Sequence, residues 1–454
     1  MRTWALSELT EPLAARIVGV DAQFDAVSTD SRTIQAGELY VALSGENFDG
    51  HRFVARVAEL DACAAVVSQP GPFPIPALQV EDTRRALGQL GALNRRHFNG
   101  EVVAITGSCG KTTVKNMLSA ILQSCGETLA TAGNFNNEIG LPLTLLRLLP
   151  QHRYAVVEMG ASRAGDISYL CELAQPTVTV VLNALPAHLQ GFGSVDGVAR
   201  AKGEILAALN GRGTAVFNAD SEHAPLWRKL AGEARCLEFG FGDQAAITAV
   251  DIETIAVDGS RFTLRTPAGE LAIRLSLPGR HNIANALAAT AAALAVGASL
   301  EQVGAGLASQ VAAPGRLDTF TTKTGTTVLD DSYNANPGSV EAAIDLLADS
   351  RGRRWLVLGA MGELGEGSAS LHAAVGRHAR DRGIDVLWGT GGGDAREAVS
   401  AFGESGRYFD SRDELTAALT RCIGAGDVVL VKGSRSAGME TVVAALRGDN
   451  GGGS

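Results

Sequence analysis

What this 454-residue sequence lacks excludes several classes of protein. No apolar run is long enough to cross a bilayer, and no signal-peptide pattern opens the chain, so a cytoplasmic protein with no membrane span is expected. The six cysteines, Cys63, Cys109, Cys125, Cys171, Cys236 and Cys422, show no CxxC spacing. Neither a disulfide framework nor a zinc cage follows from them, and a reducing compartment fits. Basic residues are outnumbered, with 39 Lys and Arg against 49 Asp and Glu and a formal net charge of −10. With no basic stripe, a nucleic-acid partner is not expected. The same field would repel a polyanionic substrate unless Mg²⁺ and local cations offset it. The 54 glycines follow no period and mark turns. The chain is too long for one core, and two to three domains are expected.

The most informative stretch is EVVAITGSCGKTT, residues 101–113. Val102–Ile105 reads as a short buried strand and Thr106–Gly110 as a tight loop. Val114, Met117, Leu118, Ile121 and Leu122 then share one helix face. Strand, glycine loop and helix together make a phosphate cradle, in which Gly107, Ser108, Cys109, Gly110, Lys111, Thr112 and Thr113 surround the anion. Lys111 reaches the terminal phosphates and the Thr112 hydroxyl ligates Mg²⁺. The fit to the general P-loop pattern is partial, because Ile105 stands where a further glycine is usual. Cys109 reads as a tolerated small residue of the loop.

Around it, residues 84–313 alternate apolar runs with helical patterns, as in a doubly wound parallel sheet whose ligands gather at the strand ends. One run, 154–157, leads into Glu158, and another, 177–182, into Asn183 and then His188. GNFNNEIG (133–140) gathers Asn134, Asn136, Asn137 and Glu138. Glu158 and His188 are candidate ligands for Mg²⁺ or substrate, since oxygen donors with one imidazole suit that ion better than zinc. Lys202 falls on an apolar helical stripe with Val195, Val198, Ile205 and Leu209. An ammonium there is costly, so a lowered pKa or an anionic partner is expected, unless the amine snorkels to solvent. Residues 277–297 read as a glycine turn and an Ala-rich helix with His281, Asn282 and Asn285 on its first turn. These side chains can read a base or phosphate, or Asn282 can simply cap the helix.

Residues 1–83 carry short strands at 38–43, 64–67 and 77–80, with a helix over 83–97 leading into the central segment. Pro314–Gly315 marks a second boundary. From there to 450, apolar runs at 327–329, 355–358, 386–388 and 428–431 each end in small polar residues, as in a Rossmann-like domain. Helices are expected at 339–348 and 370–382. GTGGGD (389–394) is only a weak dinucleotide cue, and residues 451–454, GGGS, read as a linker remnant outside the fold.

TGSCGKTT, NNEIG, VVEMG, AHLQGFGS, AKGEI, HNIANALAA, PGRLD, DDSYNANP and KGSRS, in this order, resemble the Mur ligases of peptidoglycan synthesis across essentially the whole chain. The resemblance implies three α/β domains: a small N-terminal UDP-substrate domain (1–83), a central ATP-binding P-loop domain (84–313) and a C-terminal domain (314–450) receiving the incoming amine. DDSYNANP and LGAMGELG point to the member adding a dipeptide. The implied reaction is ATP-dependent amide formation, in a monomer, between the carboxylate of UDP-MurNAc-tripeptide and the amine of D-Ala-D-Ala, through an acyl phosphate. By the same resemblance Lys111, Glu158, His188 and Lys202 are catalytic, with Thr112 and Glu158 on one Mg²⁺ and His188 and a carbamylated Lys202 on a second. Asn282 and Asn285 flank the adenine, and Arg316 and Asp331 meet the ribose and phosphates. Ser31 and Arg32 lie near the uridine, Asn134 and Asn137 near the muramoyl peptide, and Tyr333, Asn334 and Asn336 near the closing cleft. Relatives usually carry Asp where this chain has Ala360, which shifts any carboxylate role there to Glu363 or Glu366. Two alternatives remain open. One is a different amide ligase, another Mur step or a folylpolyglutamate synthase-like enzyme, and the other is a P-loop NTPase or kinase.

Overall fold

Alternate residues of the strand Glu101–Thr106 enter two different cores, which fixes the architecture around it. Val103 and Ile105 pack into a cluster with Val114, Met117, Leu118 and Ile121, while Val102 and Ala104 pack with Leu141, Ile167, Leu170 and Ile205. A strand buried on both faces must carry apolar residues at successive positions, and this one does. The computed structural model describes residues 1–186, 189–255 and 259–448.

Six strands form the central sheet in the spatial order Thr128–Ala130, Tyr154–Glu158, Glu101–Thr106, Val178–Val181, Thr214–Asn218 and Arg235–Phe239. Every pairing is parallel. The chain leaves the strand Glu101–Thr106 toward one edge and returns on its other side with Val178–Val181. The loops after these strands therefore splay apart at that point and open a crevice. The helix Lys111–Gln123 covers one face together with the helix Arg280–Ala295, whose alanines 286, 288, 289, 291, 292 and 293 are all buried. Such small side chains let the helix lie deep between its neighbours. Helix Leu300–Ala308 approaches just as closely, since a Cβ on Gly306 would stand 2.6 Å from the Ile121 Cα. The opposite face is covered by Asp166–Ala174, Val195–Ala207 and Ala224–Ala231.

Of the strands in residues 210–280, only Thr214–Asn218 and Arg235–Phe239 belong to this sheet. Thr248–Thr254, Ser260–Thr266 and Gly269–Leu275 form a separate three-stranded antiparallel sheet. Its Phe262, Leu264, Ile273 and Leu275 cover the helix Arg280–Ala295. These strands alternate polar and apolar residues because one side faces water.

In the N-terminal segment the sheet order is Arg16–Val18, Ala77–Gln79, Ala64–Val67, Leu39–Val41 and Val27–Ser28, with the first strand antiparallel. Helix Thr83–Arg96, capped by Asp82, joins it to the central unit. Its Ala86, Leu87 and Leu90 enter the N-terminal core, which also takes Leu146. The C-terminal sheet runs Asp318–Thr321, Thr327–Asp331, Val428–Lys432, Arg354–Gly359, Val386–Thr390 and Gly406–Tyr408. It is parallel except for the antiparallel pair at the first edge. Its helices Pro337–Ala348 and Ser368–Asp381 fall where the apolar spacing predicts them. Among the described residues no helix is long and apolar enough to cross a membrane.

Candidate functional site

The strand ends of the central and C-terminal sheets meet around a cleft of about 1740 Å³. Its central wall is the loop Gly107–Gly110 and the first turn of the helix Lys111–Gln123. Gly110 has φ +84°, the left-handed conformation that glycine adopts without a Cβ penalty, and so turns the chain directly into the helix. The first-turn N–H groups of that helix have no acceptor within it and point toward the cleft. Lys111 lies over the loop and donates from Nζ to the Gly107 carbonyl at 2.8 Å.

Glu158 ends its strand beside this turn, 3% exposed. Its Oε2 accepts from the Thr112 hydroxyl at 2.8 Å and its Oε1 from Asn136 Nδ2 at 2.7 Å. Thr131 Oγ1 accepts the Glu158 backbone N–H at 3.0 Å, and the Thr131 carbonyl takes the Lys115 ammonium at 2.8 Å. Burial lowers the Lys115 pKa, and the charge of Glu158 opposes that shift.

Lys202 faces the cleft from the helix Val195–Ala207 and is 3% exposed, so its amine does not snorkel to solvent. Burial first, and then the charge of Lys111, bring its pKa down to about 7, while Cys109 opposes them. Two residues on, Glu204 accepts from the N–H groups of Gly165 (2.8 Å) and Ser168 (3.0 Å) and from the Ser168 hydroxyl (3.1 Å). This carboxylate fastens the Lys202 helix to the start of the neighbouring one, where negative charge is favourable.

Across the cleft, the Asn282 amide donates to the Pro278 carbonyl at 2.7 Å, and its Oδ1 accepts from Asn285 at 3.1 Å. Asn282 therefore does not cap its helix through its side chain, and the capping alternative fails. From the C-terminal sheet, Lys432 is 2% exposed and pairs with Asp331 at 2.5 Å while donating to the Asn334 carbonyl at 2.9 Å. Arg316 lies over the Tyr333 ring at 4.0 Å. Burial lowers the His281 pKa, opposed by Asp331 and helped by Lys432.

Most of the residues singled out from the sequence line this one cleft. They are the loop Gly107–Thr113 with Asn134, Asn137, Glu158, Lys202, Asn282, Asn285, Arg316, Asp331, Tyr333, Asn334 and Asn336. His188 lies outside the described residues. Ser31 and Arg32 are not among the lining residues: Ser31 is buried in the N-terminal segment, and Arg32 is exposed and paired with Asp30 at 2.6 Å. Asn137 uses Oδ1 to accept from Ile139 and Gly140 N–H groups, so within its cluster it is Asn136 that reaches Glu158. The GTGGGD loop does not line the cleft. Glu363 lines it, whereas Glu366 does not. Asn136, Asn183 and Lys432 were not chosen from the sequence as site residues. Each stands at or just after a strand end or inside a polar cluster, and that position was the available signal.

Three family models match in chain order: the Mur ligase family catalytic domain over residues 23–95, the Mur ligase middle domain over 105–293, and the Mur ligase glutamate ligase domain over 315–435. The chain is 45% identical to UDP-N-acetylmuramoyl-tripeptide–D-alanyl-D-alanine ligase of Escherichia coli K12, covering 97% of this chain and 98% of that one. Among solved structures it is similar to MurF from Acinetobacter baumannii, with a TM-score of 0.92, 36% identity and coverage of 98% and 99%. It is also similar to MurF ligase from Thermotoga maritima in complex with ADP, with a TM-score of 0.84, 28% identity and coverage of 93% and 97%. With the phosphate loop, the carboxylate beside it and the three sheets in this order, the chain belongs to the Mur ligase family.

Proposed function

We propose that this chain is an ATP-dependent ligase that joins D-alanyl-D-alanine to the tripeptide carboxylate of UDP-MurNAc-tripeptide in peptidoglycan synthesis. The observation carrying this reading is its similarity, over nearly its full length, to a ligase named for that reaction. An NTPase or kinase reading would leave unexplained a buried lysine of lowered pKa beside the phosphate loop and a second α/β unit closing the cleft.

In this mechanism ATP lies with its phosphates on the loop Gly107–Thr113. Lys111 offsets the charge that develops as the γ-phosphoryl group moves to the tripeptide carboxylate and ADP leaves. The D-Ala-D-Ala nitrogen then attacks the acyl carbon and loses a proton, and inorganic phosphate departs as the amide forms. Asn282 and Asn285 are assigned to the adenine, and Arg316 and Asp331 to the ribose and phosphates. Asn134 and Asn137 are assigned to the muramoyl peptide, and Ser31 and Arg32 to the uridine end. Tyr333, Asn334 and Asn336 are assigned to the closing side of the cleft. The work divides among residues 1–83, 84–313 and 314–450, and the chain is assigned as a monomer. We assign the reaction to the cytoplasm, with no nucleic-acid partner.

The donor set suits Mg²⁺. Among the described residues no three His, Cys, Asp or Glu side chains converge on one point. The adjacent Thr112 hydroxyl and Glu158 carboxylate are hard oxygen donors next to the phosphate loop, the arrangement magnesium takes when it keeps waters and phosphate oxygens as ligands. Bound there, magnesium would neutralise phosphate charge. His188 and Lys202 are assigned to a second ion, with Lys202 as a carbamate. An amine whose pKa lies near 7 is substantially neutral at working pH, the form that adds to CO₂.

Labelling the tripeptide carboxylate with ¹⁸O tests the acyl phosphate. One labelled oxygen should appear in the released phosphate for each amide formed, and unlabelled phosphate would exclude that route.

A further inference from the structure

The phosphate loop does not hold its own shape. It lies against residues 182–185, the segment that follows the strand Val178–Val181. A Cβ on Gly107 would stand 2.9 Å from the Leu182 Cβ, and one on Gly110 would stand 3.3 Å from Leu182 Cδ1. Between these two glycines Asn183 makes the contacts. Its Oδ1 accepts from the N–H groups of Ser108 (3.0 Å) and Cys109 (3.1 Å), and its Nδ2 donates to the Cys109 carbonyl at 3.2 Å. Ser108 completes the join through its hydroxyl, which accepts from Leu185 N–H at 3.0 Å and donates to Leu185 O at 3.1 Å.

We propose that Asn183 is the positioning residue of the phosphate loop: it turns the Ser108 and Cys109 N–H groups away from the nucleotide. The donors of the helix start, Lys111 to Thr113, are thereby left as the phosphate site. A glycine-bearing loop of four residues can aim its N–H groups in several directions, and only some of these leave Lys111 and Thr112 facing a phosphate. One carboxamide that accepts twice and donates once, with both partners on adjacent residues, selects a single arrangement. A hydroxyl also accepts and donates, but from a single atom, whereas the carboxamide does so from two separate atoms. The inference also explains why Asn183 stands two residues past its strand, where it reaches across to the loop that follows the neighbouring strand. It rests on the reading of this loop and the helix start after it as the place where the nucleotide phosphates bind.

Two measurements on the full chain test it. In the nucleotide-free protein, hydrogen exchange at the Ser108 and Cys109 amides should already be slow, because their acceptor is Asn183. The Ser108 N–H also reaches the Asn183 carbonyl at 3.3 Å, which an alanine keeps. Asn183→Ala should therefore make the Cys109 amide exchange freely and the Ser108 amide faster, weaken ADP binding by calorimetry about 10-fold or more, and raise the KM for ATP by a similar factor. The KM values for the UDP-peptide and the dipeptide should stay within about two-fold of the parent. If the alanine variant does not fold, Asn183→Ser, whose hydroxyl can accept one of the two N–H groups, is expected to give an intermediate loss. Protection of the two amides that appears only when ADP is added would overturn the proposal, as would a folded variant with parental ADP affinity. An unmodified protein that fails to bind ADP would instead remove the phosphate-site reading on which it rests.

Discussion

At the scale of single residues, Lys202 and Lys111 make opposite demands on the protein. Lys202 is buried with its pKa brought down to about 7, against an ordinary 10.5. Below pH 7 both folded and unfolded chains hold that proton, and the full cost of burying the ammonium is present. Between about pH 7 and 10.5 the unfolded chain binds the proton more tightly, so stability rises with pH across that window. In CO₂-free buffer Lys202→Met should therefore stabilise the protein near neutral pH by a few kcal/mol and flatten the rise, as read from urea midpoints at several pH values. The same variant should be nearly inactive, and Lys202→Ala should regain part of its turnover with a short-chain carboxylic acid. A Lys202→Met variant no more stable than the parent near neutral pH would contradict the burial argument, and an active one the assigned role. Lys111→Ala should abolish turnover, because the lost cation served developing phosphoryl charge worth several kcal/mol. Near-normal ADP release from that variant would remove Lys111 from the chemistry.

At the scale of elements, the loop and helix start are set by backbone geometry that few side chains tolerate. Gly110→Ala places a Cβ 2.5 Å from Asn285 Oδ1 at φ +84°. Gly133→Ala, at φ +51° with open space around it, carries only the backbone penalty. Gly110→Ala should thus cost about 2–3 kcal/mol and weaken ADP binding, and Gly133→Ala about 1 kcal/mol. Equal losses in chemical denaturation would show that the clash with Asn285 is relieved at no cost. In the C-terminal sheet, Asp331 and Lys432 are register partners on neighbouring parallel strands, and their ion pair is largely buried. Lys432→Met leaves the carboxylate without its cation and should cost about 3–5 kcal/mol. Adding Asp331→Asn should recover much of that loss, and a double variant no more stable than the single one would argue against the pair.

The elements were legible in the sequence where periodicity was strong. The helix Pro337–Ala348 and the strands ending at Glu158 and Lys432 follow directly from their apolar spacing. The sheet Thr248–Leu275 was not legible, because short strands with one wet face resemble irregular loops until their partners are known. The stripe bearing Lys202 was read correctly because four apolar residues at helical spacing outweigh one charge. Partner choice was harder to read. Sequence position brought Asn134, Asn136 and Asn137 into one cluster, but not which of them turns inward to Glu158. Likewise Asn183 was visible as a strand end, while its bonds to the loop depend on the pairing of two strands 75 residues apart.

At the scale of the whole molecule, the central and C-terminal sheets present their strand ends to a common cleft, with the N-terminal unit joined through the helix Thr83–Arg96. Arg84, on that helix, contacts both Glu138 at 3.3 Å and the Ser44 carbonyl at 3.4 Å, tying the N-terminal unit to the asparagine cluster. A ligase built this way should commit ATP only when both other substrates are held. ADP release, measured with UDP-MurNAc-tripeptide present and D-Ala-D-Ala compared with single amino acids, tests that most directly. Release that appears with the dipeptide and not with single amino acids is the result this account predicts. Release with a single amino acid would move the chain to another ligation step, and release without any amine would contradict the ligase reading itself.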